Sequence, residues 1–302
     1  MTSWLRPLAW ASLISNAGLI LTGGAVRLTG SGLGCPTWPR CTEDSYVPRG
    51  ALDVHEAIEF GNRMLTFVLT AIAIATLVAG WRTGRRDIRI MVGLLAAGIP
   101  AQALIGGITV LTDLNPWVVS LHLLCSLALV GVAVRLLLSV DGPLPEPRED
   151  HTTRLAWGTF AAAWAVLYVG TVVTGSGPHA GDADSVRTGL NPDAVSQLHA
   201  DLVFLFIGLT LGLFMLLRVV GGREHARRAV SVLLGIEVAQ GVVGYVQYAT
   251  GLPIGLVEVH LLGAAAVSAV ATWTLLRVRR PLPVSAAGDP SGIPSRSTST
   301  QS

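Results

Sequence analysis

Residues 101–124 read AQALIGGITVLTDLNPWVVSLHLL, and residues 239–262 read AQGVVGYVQYATGLPIGLVEVHLL. The two segments align at an offset of 138 without a gap and agree at nine of 24 positions, among them His122 with His260. Each segment contains the end of one apolar run, a minimal turn and the start of the next run. The chain therefore contains an internal duplication.

The chain as a whole is too apolar for a soluble domain. Of its 302 residues, 51% are apolar and 13% are charged, and the mean hydropathy is +0.58, whereas soluble domains carry about 25% charged residues. The net charge of +2 is too small for a nucleic-acid-binding protein. The composition predicts an integral membrane protein.

The apolar residues gather into runs of the length that a helix needs to cross a hydrocarbon core roughly 30 Å thick. Eight such runs are nearly free of charge: Leu8–Val26, Met64–Gly80, Ile90–Leu111, Trp117–Val134, Leu155–Thr174, Leu202–Leu217, Ala229–Thr250 and Ile254–Leu276. They predict an all-α protein with eight transmembrane helices. The first run is too long for the apolar core of a signal peptide, and its removal would leave an odd number of helices.

The distribution of charge predicts the orientation. All 21 basic residues are arginines, and one side of the membrane receives only Arg27, Arg40, Arg49, Arg63 and Arg187. The excess of arginines on the other side marks that side as cytoplasmic. We therefore predict a multi-pass protein of the cell membrane with both termini in the cytoplasm.

Each half of the duplication contains four helices. Because four is even, both halves enter the membrane from the same side, which predicts parallel repeats. We divide the chain into an N-terminal half (1–140), a cytoplasmic linker (141–154), a C-terminal half (155–280) and a disordered cytoplasmic tail (281–302) that is rich in Pro, Ser, Thr and Gly.

Four of the seven histidines fall near the outer ends of even-numbered helices: His55, His122, His199 and His260. The others are expected to be solvated loop residues: His151, His179 and His225. Ionisable residues inside spans are costly and usually functional, and two histidine pairs, one in each half, suit haem held between facing helices. A zinc ion would need further ligands, and simple interhelical hydrogen bonding is the structural alternative.

Small residues lie near these histidines. These residues are Gly106, Gly107, Gly235, Gly241 and Gly244. They leave room for a flat macrocycle or, alternatively, allow close helix packing.

The two halves differ after the histidine that opens their second helix. Only the first half has a Glu four residues later, and Glu59, Asn62 and Arg63 share a helix face with His55. Glu59 is a candidate catalytic carboxylate beside a bound substrate, with Arg63 available for a propionate. The alternative is an ion pair that only anchors the helix end.

The outer loop of the first half contains two cysteines, Cys35 and Cys41. Their spacing is not that of covalent c-type haem attachment. In an oxidising compartment a disulfide is expected, with unpaired thiols or a redox pair as alternatives. Cys125, inside a span, is expected to serve packing.

Together these residues resemble haem A synthases across all eight spans. The resemblance rests on the stretch Gly23–Cys35 with the following Cys41, on the stretch Ile58–Arg63, and on His122 and His260. It implies an oxidoreductase that hydroxylates a methyl group of haem O to a gem-diol, which loses water to give the formyl group of haem A for cytochrome oxidase. It also implies a haem b cofactor in the second half and substrate haem in the first half. We predict that His199 and His260 ligate the haem b, and that His55 and His122 ligate the substrate haem.

The chain departs from the family pattern at two equivalent positions. Many members have histidines where this chain has Asn62 and Phe206, and the histidines present here lie seven residues earlier. Because both halves change together, the departure indicates a coordinated subfamily variant, which we interpret as an actinobacterial type.

Two other functions fit four paired histidines, namely a di-haem electron carrier linked to quinol and a haem transporter. Glu59 in only one half favours the enzyme, because an electron carrier needs no buried carboxylate there. The candidate partners are haem O as substrate, haem O synthase, cytochrome oxidase assembly factors, membrane lipid and a second copy of the chain.

Overall fold

The computed structural model describes residues 4–48, 53–144, 150–182, 184–221 and 224–279. Within them it contains eight helices: α1 (Leu5–Leu28), α2 (Val54–Trp81), α3 (Arg86–Leu111), α4 (Pro116–Ser139), α5 (His151–Ser176), α6 (Pro192–Val220), α7 (Glu224–Ala249) and α8 (Ile254–Val278). All are long and apolar enough to cross a membrane, which confirms the prediction of an all-α, multi-pass membrane protein. The predicted tail, 281–302, lies outside the described residues.

Several helices begin before their apolar runs, because polar residues cap them. The side chain of Asp53 accepts a hydrogen bond from the backbone N–H of Val54. Asn191 caps α6, and Pro192 occupies the first turn, where a missing N–H costs nothing. Both helices therefore extend beyond the apolar segment, and His199 lies two turns inside α6 rather than at its start.

The helices form two four-helix units. In the first unit α1 and α3 each contact α2 and α4, and α5 to α8 repeat this arrangement in the second unit. The units meet through α1, α4, α5 and α8. At the centre of this seam Ser268 Oγ donates to the carbonyl oxygen of Leu127, 2.7 Å away, among buried apolar side chains such as Val130 and Ala271. We call the membrane side opposite the chain termini the outer side.

The turns that join α3 to α4 and α7 to α8 have the same backbone geometry. Leu114 and Leu252 have φ angles of 59° and 60°, which are uncommon for residues other than glycine. Their N–H groups donate to the carbonyls of Thr109 and Gln247 at 2.8 and 2.7 Å. These equivalent residues are separated by 138 positions, so the duplication seen in the sequence extends to the turn conformation.

Candidate haem-binding and reaction sites

The two histidines of the second unit face each other. The ring centres of His199 on α6 and His260 on α8 are 6.4 Å apart, and the ring planes are nearly perpendicular, at 76°. The rings lie against Gly170 of α5 and Gly244 of α7, where a Cβ atom would be 3.1 and 3.3 Å from the imidazole carbon Cε1. These glycines therefore let both rings approach the neighbouring helices.

Both imidazoles have capacity for a ligand. The Nδ1 atoms of His199 and His260 are buried and have no hydrogen-bond partner among the described residues. Two imidazoles on opposite sides of one metal ion, each bonded at about 2 Å as in zinc sites, have ring centres roughly 6 Å apart. The described residues contain no cluster of three His, Cys, Asp or Glu side chains that fits a metal ion. This donor set fits haem iron, which needs two axial ligands, better than zinc.

The histidines of the first unit are arranged differently. His55 is exposed, and its Nδ1 hydrogen-bonds to Ser31 Oγ at 2.9 Å. His122 is half-buried against Gly106 of α3, and its Nδ1 has no hydrogen-bond partner in the described chain. Within the described ranges the ring contact of His199 with His260 has no counterpart between His55 and His122. The structure thus brings only the second-unit pair together.

Glu59 is buried, at 5% exposure, and both of its carboxylate oxygens have donors. Oε1 accepts hydrogen bonds from Arg63 Nε at 3.1 Å and from Arg63 Nη2 at 2.5 Å. Oε2 accepts one from the backbone N–H of Cys35 at 2.6 Å. The ion pair considered as an alternative in the sequence analysis is therefore present, and it also binds the outer loop.

The guanidinium of Arg63 holds the same loop. It donates to the carbonyl oxygens of Cys35, Thr37 and Arg40 at 2.9, 3.2 and 3.2 Å. All of its nitrogens therefore have protein acceptors, so a substrate propionate would have to share this side chain with the loop.

The predicted disulfide is present in the outer loop. Cys35 and Cys41 are bonded to each other and fully buried. Between them, the ring of Trp38 occupies the space that a side chain at Gly107 of α3 would need. The loop is therefore fixed to α2 by hydrogen bonds and to α3 by packing. Cys125, by contrast, is a free, half-buried thiol.

The positions that depart from the family pattern have other contacts. Asn62 Oδ1 accepts a hydrogen bond from Thr22 Oγ1 of α1 at 2.7 Å. Phe206 is 2% exposed and packs in the core between the units. Asn62 thus makes a polar contact between helices, and Phe206 is part of the packed core.

The expectation that His179 is a solvated loop residue is wrong. Its Nε2 donates to the carbonyl of Leu252 at 2.9 Å, and its own carbonyl accepts from Arg27 Nε at 2.8 Å. Arg27 also donates to the carbonyl of Thr174 at 3.1 Å. Arg27 and His179 therefore join α1 to the second unit, a long-range contact for which the sequence gives no local signal. His151 and His225 are exposed as expected, but they lie in the first turns of α5 and α7 rather than in loops.

Two of the predicted small residues, Gly235 and Gly241, have no described atom within 4 Å of where a Cβ would lie, so they do not serve a close helix contact.

Sequence reasoning overlooked two carboxylates of the second unit, Glu237 and Glu258. Both oxygens of Glu258 are buried without a hydrogen-bond partner in the described chain, and they lie beside Gly24 of α1, where a Cβ would be 3.0 and 3.1 Å from them. The signal was available, because the repeat alignment places Ile99 and Ser120 opposite these residues.

The chain is similar in sequence to a known protein family. Residues 6–183, more than half of the chain, match the family of cytochrome oxidase assembly proteins, COX15-CtaA. The chain belongs to this family. It is 33% identical over 182 residues to the heme A synthase of Lysinibacillus sphaericus, covering 56% of this chain and 58% of the relative. It is 32% identical over 122 residues to the heme A synthase of Geobacillus kaustophilus, covering 40% and 38%.

A longer alignment exists at lower identity. The heme A synthase of Brucella anthropi is 24% identical over 323 residues, covering 87% of this chain and 89% of the relative. The matches to the Lysinibacillus and Geobacillus proteins span less than two thirds of those proteins' own lengths. The family match itself, residues 6–183, covers the first unit and α5.

Proposed function

We propose that this protein is a haem A synthase, an oxidoreductase that converts a methyl group of haem O into a formyl group for cytochrome oxidase. Membership of the cytochrome oxidase assembly family supports the proposal, as do relatives that are named heme A synthase. The observation that carries the proposal is that two units with similar folds have different polar side chains near their outer ends. One presents two facing imidazoles, and the other presents a buried carboxylate under a braced loop.

In this proposal the second unit holds haem b between His199 and His260. When bound, this haem supplies one-electron redox chemistry at its iron. The protein contributes two imidazoles with free nitrogens, and Gly170 and Gly244 let the rings lie close to the helices.

The first unit receives haem O near His55 and His122. Glu59 and Arg63 are the proposed reaction residues, and the disulfide loop covers them. A carboxylate held by three donors is a fixed anion, which stabilises positive charge at the substrate edge or accepts a proton released there. Because Arg63 is bound to loop carbonyls, its main contribution is to hold this anion and the loop in place.

We place the protein in the cell membrane with both termini in the cytoplasm, as the arginine distribution indicates. The proposed partners are haem O synthase, which would supply the substrate, cytochrome oxidase assembly factors, and a second copy of this chain.

Pigment analysis tests the proposal. The full chain is produced in a host that makes haem O but no haem A, and the haems are extracted from the purified protein. We expect hydroxylated and formylated haem, which membranes of the same host without the chain should lack. Recovery of unmodified haem alone would contradict the proposal and favour the di-haem electron carrier.

A further inference from the structure

The interior of the second unit contains a carboxyl group for which the proposed reaction has no use. Glu237 on α7 is 3% exposed. Its Oε1 accepts a hydrogen bond from Thr210 Oγ1 of α6 at 2.7 Å, whereas Oε2 is buried and has no partner in the described chain. An ionisable side chain in a membrane interior is costly and usually functional.

In the described helices α6, α7 and α8, no opposite charge lies at the level of Glu237. Helix α7 packs against α6 and α8, and Glu237 is the only titratable residue in the segments 202–217, 229–244 and 261–276 of these helices. The nearest titratable residues along the three helices, beyond these segments, are Asp201, Arg218, Arg228, Tyr245, His260 and Arg277. With no cation beside it, the carboxylate is best neutralised by a proton.

A polar face leads from Glu237 towards the outer side. Gln240, Gly244 and Gln247 follow at intervals that return to one side of a helix. The Gln240 side chain fills the space beside Gly263 of α8, and His260 lies against Gly244.

Towards the cytoplasm the neighbouring side chains are apolar and fully buried: Leu213, Leu217, Val230 and Leu233. On α7 the polar side chains of Gln240 and Gln247 lie instead on the outer side of Glu237.

The first unit has no carboxyl group at the position equivalent to Glu237. The equivalent residues at an offset of 138 are Ile99, Gln102, Gly106 and Thr109, so the polar face is kept and only the acid is missing. Because the duplicated fold forms with Ile99 at this place, the architecture does not require Glu237. Glu237 therefore serves a property that only the second unit has.

We propose that Glu237 is a proton-binding site in the membrane interior whose occupancy follows the charge of the haem held by His199 and His260. The haem in this statement rests on the proposed function. Reduction of the ferric iron by one electron, from a donor of the quinol class, removes one positive charge. The carboxylate of Glu237 then takes one proton from the outer aqueous phase to form its O–H bond, and reoxidation releases that proton.

The distance suits this coupling. Glu237 and Gly244, which touches His260, are seven residues apart on α7, or about 10 Å along the helix axis. At an effective dielectric constant of about 20, one unit of charge at this distance changes a proton affinity roughly tenfold.

Redox titration of the haem in the full-length protein, reconstituted in lipid nanodiscs, tests the coupling. The wild-type potential should fall as the pH rises over a window of about one pH unit, whereas Glu237→Gln should give a potential independent of pH there. Glu224→Gln, an exposed carboxylate on the same helix, should keep the wild-type slope. An unchanged slope in Glu237→Gln would overturn the proposal.

Infrared difference spectroscopy provides a second readout. Reduction should produce the carbonyl band of a protonated carboxyl group in wild type and not in Glu237→Gln. If that variant does not accumulate, Thr210→Val should shift the band, because it removes the hydrogen bond to Glu237. A missing or unshifted band would contradict the proposal.

The two proposals can fail separately. A wild-type protein that binds no haem would refute the proposed function, while a pH titration of the same infrared band in that protein would still show whether Glu237 binds a proton.

Discussion

The outer ends of the two four-helix units share a backbone plan and differ in their polar groups. In the first unit Glu59 and Arg63 fix a disulfide-bonded loop. In the second unit Val203 occupies the position of Glu59, and His199 faces His260 instead. Because the second unit folds without this carboxylate, the duplicated architecture does not need it. This difference is the basis for our proposal that one unit carries out the reaction and the other holds a permanent cofactor.

Replacing Glu59 should produce the largest loss of product. Glu59→Gln keeps the shape but removes the charge and the ion pair with Arg63, so we expect haem A formation to fall at least tenfold, or about 1.4 kcal/mol of barrier. Expression and haem b content should stay near normal. The measurement is haem A per mole of purified protein.

The matched control for Glu59 is Glu43→Gln, an exposed carboxylate in the same loop. Wild-type haem A yield from Glu59→Gln would refute the reaction role. Loss of the folded protein would show instead that the ion pair is mainly structural.

Removing the disulfide should have a smaller effect. In Cys35→Ser/Cys41→Ser the loop remains bound by Glu59 and Arg63, and a ring this short contributes a few kcal/mol at most. We expect product to fall severalfold and haem b content to stay unchanged.

Alkylation measures the bond itself. Denatured, unreduced wild-type protein should take up one alkyl group, at Cys125, and reduced protein three, one for each cysteine. Three groups without reductant would show that Cys35 and Cys41 are not bonded.

Glycine substitutions should produce the smallest change and separate the two units. Gly170→Ala places a Cβ 3.1 Å from the His199 ring, and Gly106→Ala places one 3.2 Å from the His122 ring. Gly170→Ala should perturb the low-spin haem spectrum, whereas Gly106→Ala should leave it unchanged and lower product twofold or less. Gly241→Ala, which adjoins open space, is the control. Equal spectral effects of the first two substitutions would contradict the division between units.

Much of this arrangement was predictable from the sequence, because it depends on local properties. Apolar runs of membrane length predict the eight helices, and the compartment and close spacing of Cys35 and Cys41 predict their disulfide. The internal repeat brings His122 and His260 to equivalent places. Such signals need only the residue types and their separation along the chain.

The remaining features depend on contacts between distant segments. Arg27 binds carbonyls of the second unit at His179 and Thr174, and no local pattern specifies that pairing. Glu237 and Glu258 are single acids within apolar runs, and one acid does not prevent such a run from being identified as a membrane span. The repeat comparison marks both as acids that the first unit lacks, but their burial and missing partners are known only from the structure.

The most direct test of which unit binds the cofactor is to measure haem b after substituting the histidines of each unit. The double variants His55→Leu/His122→Leu and His199→Leu/His260→Leu are purified alongside His225→Leu, an exposed control, and low-spin haem b is measured per mole of protein. We predict that the first-unit variant and the control keep haem b, whereas the second-unit variant loses it, since iron without axial ligands is held poorly. Full retention of the low-spin spectrum by the second-unit variant, or equal loss from both units, would contradict the assignment of the cofactor to His199 and His260.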